Sequence, residues 1–216
     1  MKHAYHHNDL RNALIDEAFK VLSESGIAGL TLRELARRLG VTHTAAYAHF
    51  ADKQELLAAV ADIACGRLAD AMEALHRPGL SAEDAFTAMA VAYVEFARAH
   101  PDLYRLIFVA PDLVEDEKCE MSEEGKRAFQ VLVKAIENLG YALPADPQEV
   151  AVTAWALVHG VAMLELGNRI NTKTAHSSTE LATLATKVFL RGLREPHLSA
   201  RYDTEKRPVE PDPPSL

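Results

Sequence analysis

Residues 31–53, TLRELARRLGVTHTAAYAHFADK, bring together side chains that can bind nucleic acid without covalent chemistry. Within this segment four Lys or Arg side chains outnumber two Asp or Glu side chains. Hydroxyl, imidazole and cationic groups form hydrogen bonds with phosphate oxygens and with the edges of bases. The segment therefore predicts binding to a DNA duplex. The candidate contact residues are Thr31, Arg33, Thr42, His43, Thr44, Ala45, Tyr47, His49 and Lys53.

Two short helices joined by a glycine turn would position these side chains. The spacing predicts a helix over Thr31–Leu39 that stops at Gly40, and a second helix that begins at Thr42. The second helix is small and polar outward, so it fits a major groove, which is about 12 Å wide. Together the two helices form a helix-turn-helix, whose first helix needs an apolar inner face. That face would consist of Leu32, Leu35, Ala36 and Leu39.

A net charge of −8 is unfavourable for DNA binding, but the charge is unevenly distributed along the chain. Residues 1–60 contain seven basic and seven acidic side chains, so the whole excess of negative charge lies in residues 61–216. This asymmetry fits a small DNA-contacting unit attached to an acidic body.

Composition restricts the other functions that the chain can have. The chain has 216 residues and is 49% hydrophobic, which suffices for one large domain or for a small domain with a larger one. Two cysteines, Cys65 and Cys119, are too few for a disulfide framework. The longest uncharged apolar run, residues 150–164, is interrupted by His159 and is short for a membrane span. Because no stretch resembles a signal peptide, we expect a cytoplasmic protein without a membrane partner.

Apolar residues recur at helical spacing along nearly the whole chain, and no period-two pattern suggests a strand. We therefore predict an all-α fold in three parts. Residues 1–51 form a three-helix, helix-turn-helix DNA-binding domain, residues 52–194 a helical bundle for ligand binding and dimerisation, and residues 195–216 a disordered tail. The tail holds five of the ten prolines. Residues 148–169 are apolar nearly all round, which predicts burial on more than one side.

Three motifs give the N-terminal part a family resemblance. They are Thr31-Leu-Arg-Glu-Leu35-Ala36, then Gly40-Val41-Thr42, then Tyr47-Ala-His49-Phe50-Ala-Asp-Lys53. With these motifs, residues 8–60 resemble the N-terminal three-helix domain of the tetracycline-repressor (TetR) family of transcription factors. The resemblance covers all three helices of that domain.

The resemblance implies two kinds of contact with DNA. Residues at the start of the second helix would face bases, and residues at its end would bind phosphates. The first group is Thr42, His43 and Ala45, and the second is Tyr47, His49 and Lys53. Ala45 stands where the family commonly has Thr or Ser, and Ala46 where it often has Leu. The operator sequence therefore does not carry over from any relative.

A second, narrower resemblance lies in the C-terminal half. Trp155-Ala-Leu-Val-His159-Gly160 resembles the Trp-x-x-x-His-Gly signature of the TetR C-terminal domain type called WHG, and residues 100–108 resemble the segment before it. Trp155 and His159 lie four residues apart and share a helix face. Either they line an effector pocket, or a core Trp packs beside a hydrogen-bonded His. The pocket residues would be Met89, Tyr93, Phe96, Tyr104, Phe108, Trp155, His159 and Met163.

Pairing of two chains is expected because helix-turn-helix proteins usually bind half-sites about 34–36 Å apart. TetR-like proteins pair through their last two long helices, which the resemblance assigns to residues 148–169 and 179–192. The alternative is that these helices pack only within one chain. The expected partners are a second copy of the chain and a pseudo-palindromic operator in double-stranded DNA. The interface residues would be Gly160, Gly167, Leu181, Leu184 and Val188.

Other chemistries have little support in the sequence. His3, His6 and His7 lack the Cys or carboxylate companions of a metal site, and no phosphate-binding glycine loop or nucleophile motif occurs. We therefore expect no metal, no cofactor and no enzyme activity. A redox switch at Cys65 needs an exposed thiol of low pKa, and a cysteine on an apolar helix face is the simpler interpretation.

The sequence thus predicts a homodimeric transcriptional regulator, most often a repressor in the family it resembles. An unknown small-molecule effector would release it from DNA by pivoting the helix predicted at residues 52–76. Three alternatives stay open: an activator or corepressor-dependent repressor, a redox-responsive regulator that uses Cys65, and an all-α ligand-binding protein or enzyme with a vestigial DNA domain.

Overall fold

The computed structural model describes residues 7–75, 79–108, 121–170 and 177–195. Within these ranges the chain forms nine helices and no strand, which confirms the all-α prediction. The helices are α1 (His7–Gly29), α2 (Leu32–Leu39), α3 (His43–Tyr47), α4 (Lys53–Glu73), α5 (Ala82–Ala99), α6 (Pro101–Phe108), α7 (Glu123–Glu137), α8 (Pro147–Leu166) and α9 (Ser178–Leu193). Helices α1–α3 are called the head here, and α4–α9 the body.

Side-chain caps fix the starts of the helices at the DNA-binding end. Thr31 accepts a hydrogen bond from the backbone N–H of Glu34 at 3.1 Å, and Thr42 accepts one from Ala45 at 3.2 Å. The cap of α4 is Asp52. Each cap satisfies an N–H group that the first turn of a helix leaves without a partner. The two threonines that predicted helix starts are therefore caps, one residue before α2 and α3 begin.

Two glycines adopt left-handed backbone conformations in the head, with different consequences. Gly40 has φ 67° and ends α2, as its position in the motif predicts. Gly26 has φ 64°, yet helical structure resumes beyond it and α1 reaches Gly29. The helical backbone is thus interrupted at Gly26, and α1 consists of a long helix before this glycine and a short helical turn after it.

The head is packed on a core that the body shares. Fully buried side chains from α1, α2 and α3 meet the first half of α4, and α6 of the body adds Leu103 and Leu106. Apolar burial drives this packing, because a buried leucine side chain contributes about 1.5–3 kcal/mol. The division after residue 51 stays a prediction, and packing runs across it. The α4 residues in this core are Leu56, Leu57, Val60, Ala61 and Ala64.

In the body, α5 packs against α8 and α9, and α4 packs against α7. Helix α8 does not match its prediction of burial on more than one side, since only Val150, Ala151, Ala154 and Ala162 are buried. Trp155, Val158, Val161 and Leu166 are partly buried against the body core, and the other large apolar side chains of α8 are exposed in the single chain. By length and composition alone, α8 is the one described helix that could cross a membrane, with mean hydropathy 1.4 and 22% of that stretch buried.

Some predictions fall outside the described residues. They concern His3, His6, Cys119 and the proline-rich tail after Glu195, together with the side chain of His7.

Candidate functional site

Helix α3 presents a small polar surface to solvent. His43 and Thr44 are exposed, and so is the cap Thr42. Tyr47, the last residue of α3, is 45% exposed although it is a large aromatic side chain. A short helix with exposed hydroxyls, an imidazole and a phenol has the composition that contacts base edges and phosphates in a groove.

Two buried residues hold α3 in place. Ala46 and Phe50 are fully buried in the core of the head. The guanidinium of Arg11 lies over the Phe50 ring, 5.0 Å from its centroid. Ala45 is half-buried and packs against the same core. Phe50 is thus a core aromatic that fixes the orientation of α3.

Lys53 has a structural partner that the sequence did not predict. Its Nζ donates a hydrogen bond to the carbonyl oxygen of Ile27 at 2.7 Å, near the end of α1. A lysine in this position must leave or share that carbonyl in order to bind a phosphate. His49, two residues after the end of α3, is half-buried.

The arginines of α2 differ in availability. Arg33 is exposed. Arg37 and Arg38 both donate to Glu34, at distances of 2.6–2.8 Å. Hydrogen bonds from these two guanidinium groups lower the pKa of Glu34 to about 2. Arg38 also pairs with Glu24 of α1 at 2.7 Å. Arg38 therefore fastens α2 to α1, and Arg33 is the better candidate for DNA contact.

A cavity of about 500 Å³ lies in the body between α4, α5, α7, α8 and α9, with the end of α6 at its side. Four of the eight predicted pocket residues line it: Met89, Tyr93, Phe108 and Trp155. Its volume falls within the range of small-molecule sites, about 300–1,000 Å³.

The other four predicted pocket residues do not line the cavity. Phe96 is buried against the ring of His100, with centroids 5.2 Å apart. Met163 is exposed on the outer face of α8. Tyr104 and His159 lie within hydrogen-bond distance of Tyr93, a lining residue, but do not line the cavity themselves. Helical periodicity had placed them on the correct helices but could not show which neighbour each one faces.

A chain of hydrogen bonds begins at the cavity wall. Trp155 Nε1–H donates to Tyr93 Oη at 2.9 Å, and the Oη atoms of Tyr93 and Tyr104 are 3.2 Å apart. His159 Nδ1 lies 2.7 Å from Tyr104 Oη. When Nδ1 accepts, each hydroxyl donates one bond onward, so every group in the chain is satisfied. Both interpretations of the Trp-x-x-x-His pair are thus partly correct, since Trp155 lines the cavity and His159 is a half-buried, hydrogen-bonded histidine.

Burial keeps the side chains of this hydrogen-bond network uncharged. It lowers the pKa of His159, raises that of Tyr93 to about 12 and raises that of Tyr104 above its usual value. Each shift disfavours the charged form of a side chain removed from water. The neutral imidazole is the form that can accept at Nδ1.

Cys65 also lines the cavity, and it is buried. Burial, with the nearby carboxylate of Asp62, raises the pKa of its thiol to about 11. The thiolate that a redox switch requires is therefore disfavoured. Among the described side chains, no three His, Cys, Asp or Glu lie together as metal ligands would.

Sequence reasoning missed the contribution of α4 and α7 to the cavity. Their apolar stripes predicted ordinary core packing, and no polar residue in either helix marked a site. The small residues Ala58, Gly125 and Ala128 could have been a signal, because they leave space between facing helices. The residues from these two helices are Ala58, Ala61, Asp62, Cys65, Leu68, Met72, Gly125, Ala128, Phe129 and Leu132.

The last two helices leave apolar residues exposed. Val188 of α9 is 64% exposed, and Leu184 lies one turn before it. On α8 nothing lies within 4 Å of a Cβ built at Gly160, so another helix has room to approach there. Gly167 caps the end of α8, where a Cβ would meet the Met163 carbonyl at 3.2 Å. Leu181 is half-buried. The exposed residues on α8 are Val152, Leu157, Met163 and Leu164.

The fold and the exposed α3 define a helix-turn-helix DNA-binding protein, and comparisons with known proteins agree. Residues 14–60 match the family model described as bacterial regulatory proteins, tetR family. Residues 86–189 match the model described as tetracyclin repressor-like, C-terminal domain. The chain belongs to the TetR family of transcriptional regulators. Its matches describe regulators rather than enzymes.

Individual relatives extend this match in sequence and in structure. The chain is 26% identical to the HTH-type transcriptional regulator BetI of Rhizobium meliloti (strain 1021) over 199 residues, which cover 89% of this chain and 91% of BetI. It is 49% identical to the class A tetracycline repressor of transposon 1721 from Escherichia coli over 51 residues, 24% of each chain. A protein of unknown function from Rhodococcus sp. RHA1 has a solved structure with TM-score 0.76, 34% identity, and coverage of 90% of this chain and 100% of that one.

Proposed function

We propose that this regulator is a homodimeric repressor that binds a pseudo-palindromic operator and is released by a small molecule in the body cavity. One observation carries the proposal: the same helix, α4, contacts the head and lines the body cavity. Its first residue, Lys53, contacts the head, and its later turns, including Cys65 and Met72, line the cavity. A ligand that displaces this helix in the body also displaces the head.

DNA recognition is assigned to α3 and the residues around it. Thr42, His43, Thr44 and Ala45 lie at its start, where they would face bases. Side chains at its end and on α2 would bind phosphates and set the register on the duplex, which base contacts alone do not fix. These positioning residues are Thr31, Arg33, Tyr47, His49 and Lys53.

Dimerisation is assigned to the exposed apolar faces of α8 and α9. Val188, Leu184 and Leu164 together expose an apolar surface that a second copy would cover. Gly160 lies on the same part of α8 and leaves room for a facing helix. A two-fold pair would present two α3 helices to successive major grooves, at the half-site spacing of about 34–36 Å.

A second connection between cavity and head supports the release mechanism. Helix α6 places Leu103 and Leu106 in the head core, while Phe108 at its end lines the cavity. A ligand against Phe108 therefore acts on both α4 and α6. By linkage, an effector that weakens operator binding must itself bind less well to the DNA-bound form, by the same factor. The regulator would act where its operator lies, in the cytoplasm.

The test is selection of bound duplexes from a random DNA library with the purified full chain. We expect enrichment of one motif with two-fold symmetry. The variant His43→Ala should still select symmetric sites with unchanged half-site spacing but altered bases within each half-site. If the wild-type chain enriches no motif from the library, the proposed operator binding is wrong.

A further inference from the structure

Six aromatic rings and three methionine thioethers are among the 24 residues that line the body cavity. Trp155 lies between Phe108 and Phe129, with ring centroids 5.9 and 6.3 Å away. Such rings bind flat apolar molecules by stacked or edge-on contact, which adds to the gain from buried apolar area. The aromatic lining residues are Phe86, Tyr93, Phe108, Phe129, Trp155 and Phe189.

The polar atoms of the lining already have partners within the protein. Trp155 Nε1–H donates to Tyr93 Oη, and Thr186 Oγ1 donates to the Ala182 carbonyl at 2.8 Å. Ser122 Oγ accepts from the Gly125 N–H at 3.1 Å. A ligand rich in hydrogen-bonding groups would lose its hydration here without equivalent replacement. The lining therefore favours ligands with few polar groups.

Asp62 is the only charged side chain among the lining residues that the structure describes. Its Oδ1 accepts a hydrogen bond from the backbone N–H of Glu124 at 3.1 Å, at the first turn of α7. A carboxylate has further acceptor capacity beyond this one bond. Its negative charge repels a bound anion, and the repulsion is strong because the apolar walls screen charge poorly.

We propose that the cavity binds aromatic molecules that carry no negative charge and rejects organic anions, and that Asp62 sets this selectivity. The proposal rests on the proposed function insofar as the bound molecule acts as effector. The volume of about 500 Å³ is sufficient for a ligand with two or three fused or linked rings. A hydrogen-bond donor at one end of such a ligand would face the Asp62 carboxylate.

Two dyes that share a ring system test the proposal. They are N-phenyl-1-naphthylamine, which is neutral, and 8-anilinonaphthalene-1-sulfonate, which adds one sulfonate. Trp155 is the single tryptophan of the chain and lines the cavity, so energy transfer from it reports binding at this place. We expect one neutral dye per protomer, bound at least about tenfold more tightly than the sulfonate.

The variant Asp62→Asn isolates the effect of charge. It retains an oxygen that can accept from Glu124 N–H, so the contact between α4 and α7 is kept. The preference for the neutral dye should fall by about fivefold or more, mainly because the sulfonate binds better. The control is Asp70→Asn, the same change two turns further along α4, where the carboxylate binds Arg127 and does not line the cavity. The control should keep the wild-type preference.

Filling the cavity tests whether the dyes bind there at all, independently of which dye is preferred. Ala128→Phe places a large side chain in the cavity from a half-buried position and should abolish binding of both dyes. Ala58→Leu is a second, smaller cavity-filling change, and circular dichroism checks that both variants keep their helix content. If wild-type and Asp62→Asn chains show the same dye preference, the assigned selectivity is overturned and the cavity remains the effector site. If dye binding persists unchanged in both filled variants, the cavity is not the site, and the effector part of the proposed function fails with it.

Discussion

Tyr104 Oη lies 2.7 Å from His159 Nδ1 and joins α6 to α8 inside the body. The neighbours of Tyr104 on α6, Leu103 and Leu106, belong to the core of the head. The hydrogen bond therefore ties the helix that carries the WHG signature to the helix that supports the DNA-binding end. The histidine of the Trp-x-x-x-His pattern thus connects two helices, in addition to the position of the tryptophan in the cavity wall.

The variant Tyr104→Phe should lower the free energy of unfolding by about 1–2 kcal/mol, because it removes the donor to a buried imidazole. Tyr93 Oη, 3.0 Å from the same nitrogen, limits the loss. Urea denaturation followed by circular dichroism measures it. The matched change Tyr47→Phe, at an exposed hydroxyl, should leave stability unchanged. Equal stability of both variants would show that the network is not stabilising.

Stability should decline as the pH falls below the unfolded-state pKa of His159, near 6.5. Burial lowers the folded-state pKa, so the unfolded chain binds the additional proton first and protonation favours unfolding. Well above pH 6.5 both states are neutral at this residue and its contribution is constant. Urea denaturation between about pH 7.5 and about pH 5.5 should give a shallower pH dependence for His159→Asn than for the wild type. Identical pH dependence would contradict the assignment of a buried neutral imidazole.

Lys53→Gln should weaken binding to all DNA sequences and reduce the salt slope of log K by about 2 for a bound dimer, because one phosphate contact is lost from each protomer. Glutamine can still donate a hydrogen bond to the Ile27 carbonyl, so the structural contact of Lys53 is largely kept. Fluorescence anisotropy at several salt concentrations measures the slope. Lys20→Gln removes an exposed lysine that pairs with Glu17 and should change nothing. An unaltered salt slope in Lys53→Gln would show that Lys53 does not contact a phosphate.

Val188→Glu should convert the dimer to a monomer, since it places a charge in the middle of the exposed apolar face of α9. Sedimentation velocity measures the mass, and circular dichroism checks the helices. Leu80→Glu, at a residue 45% exposed outside α8 and α9, is the control and should leave the dimer intact. A Val188→Glu chain that sediments as a dimer would move the interface elsewhere.

The head could be predicted from sequence because local chemistry determines it. Thr31 and Thr42 cap helices through contacts three residues away, and Gly40 adopts the left-handed conformation that its type favours. These signals span a few residues and do not depend on the rest of the fold. Lys53 was only partly predictable, because its contact with Ile27 joins residues 26 positions apart.

The cavity was harder to predict because it forms between helices distant in sequence. A shared helix face put Trp155 and His159 together, but His159 lies within hydrogen-bond distance of Tyr93 from α5 and does not line the cavity. Asp62 gave no signal, since a single carboxylate on a helix is ordinarily a solvated residue. Its position against the start of α7 is a property of the assembled body.

The most direct test of the account measures coupling between the cavity and the operator. Operator affinity is determined by fluorescence anisotropy with and without a saturating neutral aromatic compound whose binding Ala128→Phe abolishes. We expect the compound to weaken operator binding by about 5–150-fold, and the operator to weaken binding of the compound by the same factor. Operator affinity that does not change while the cavity is full would contradict the account.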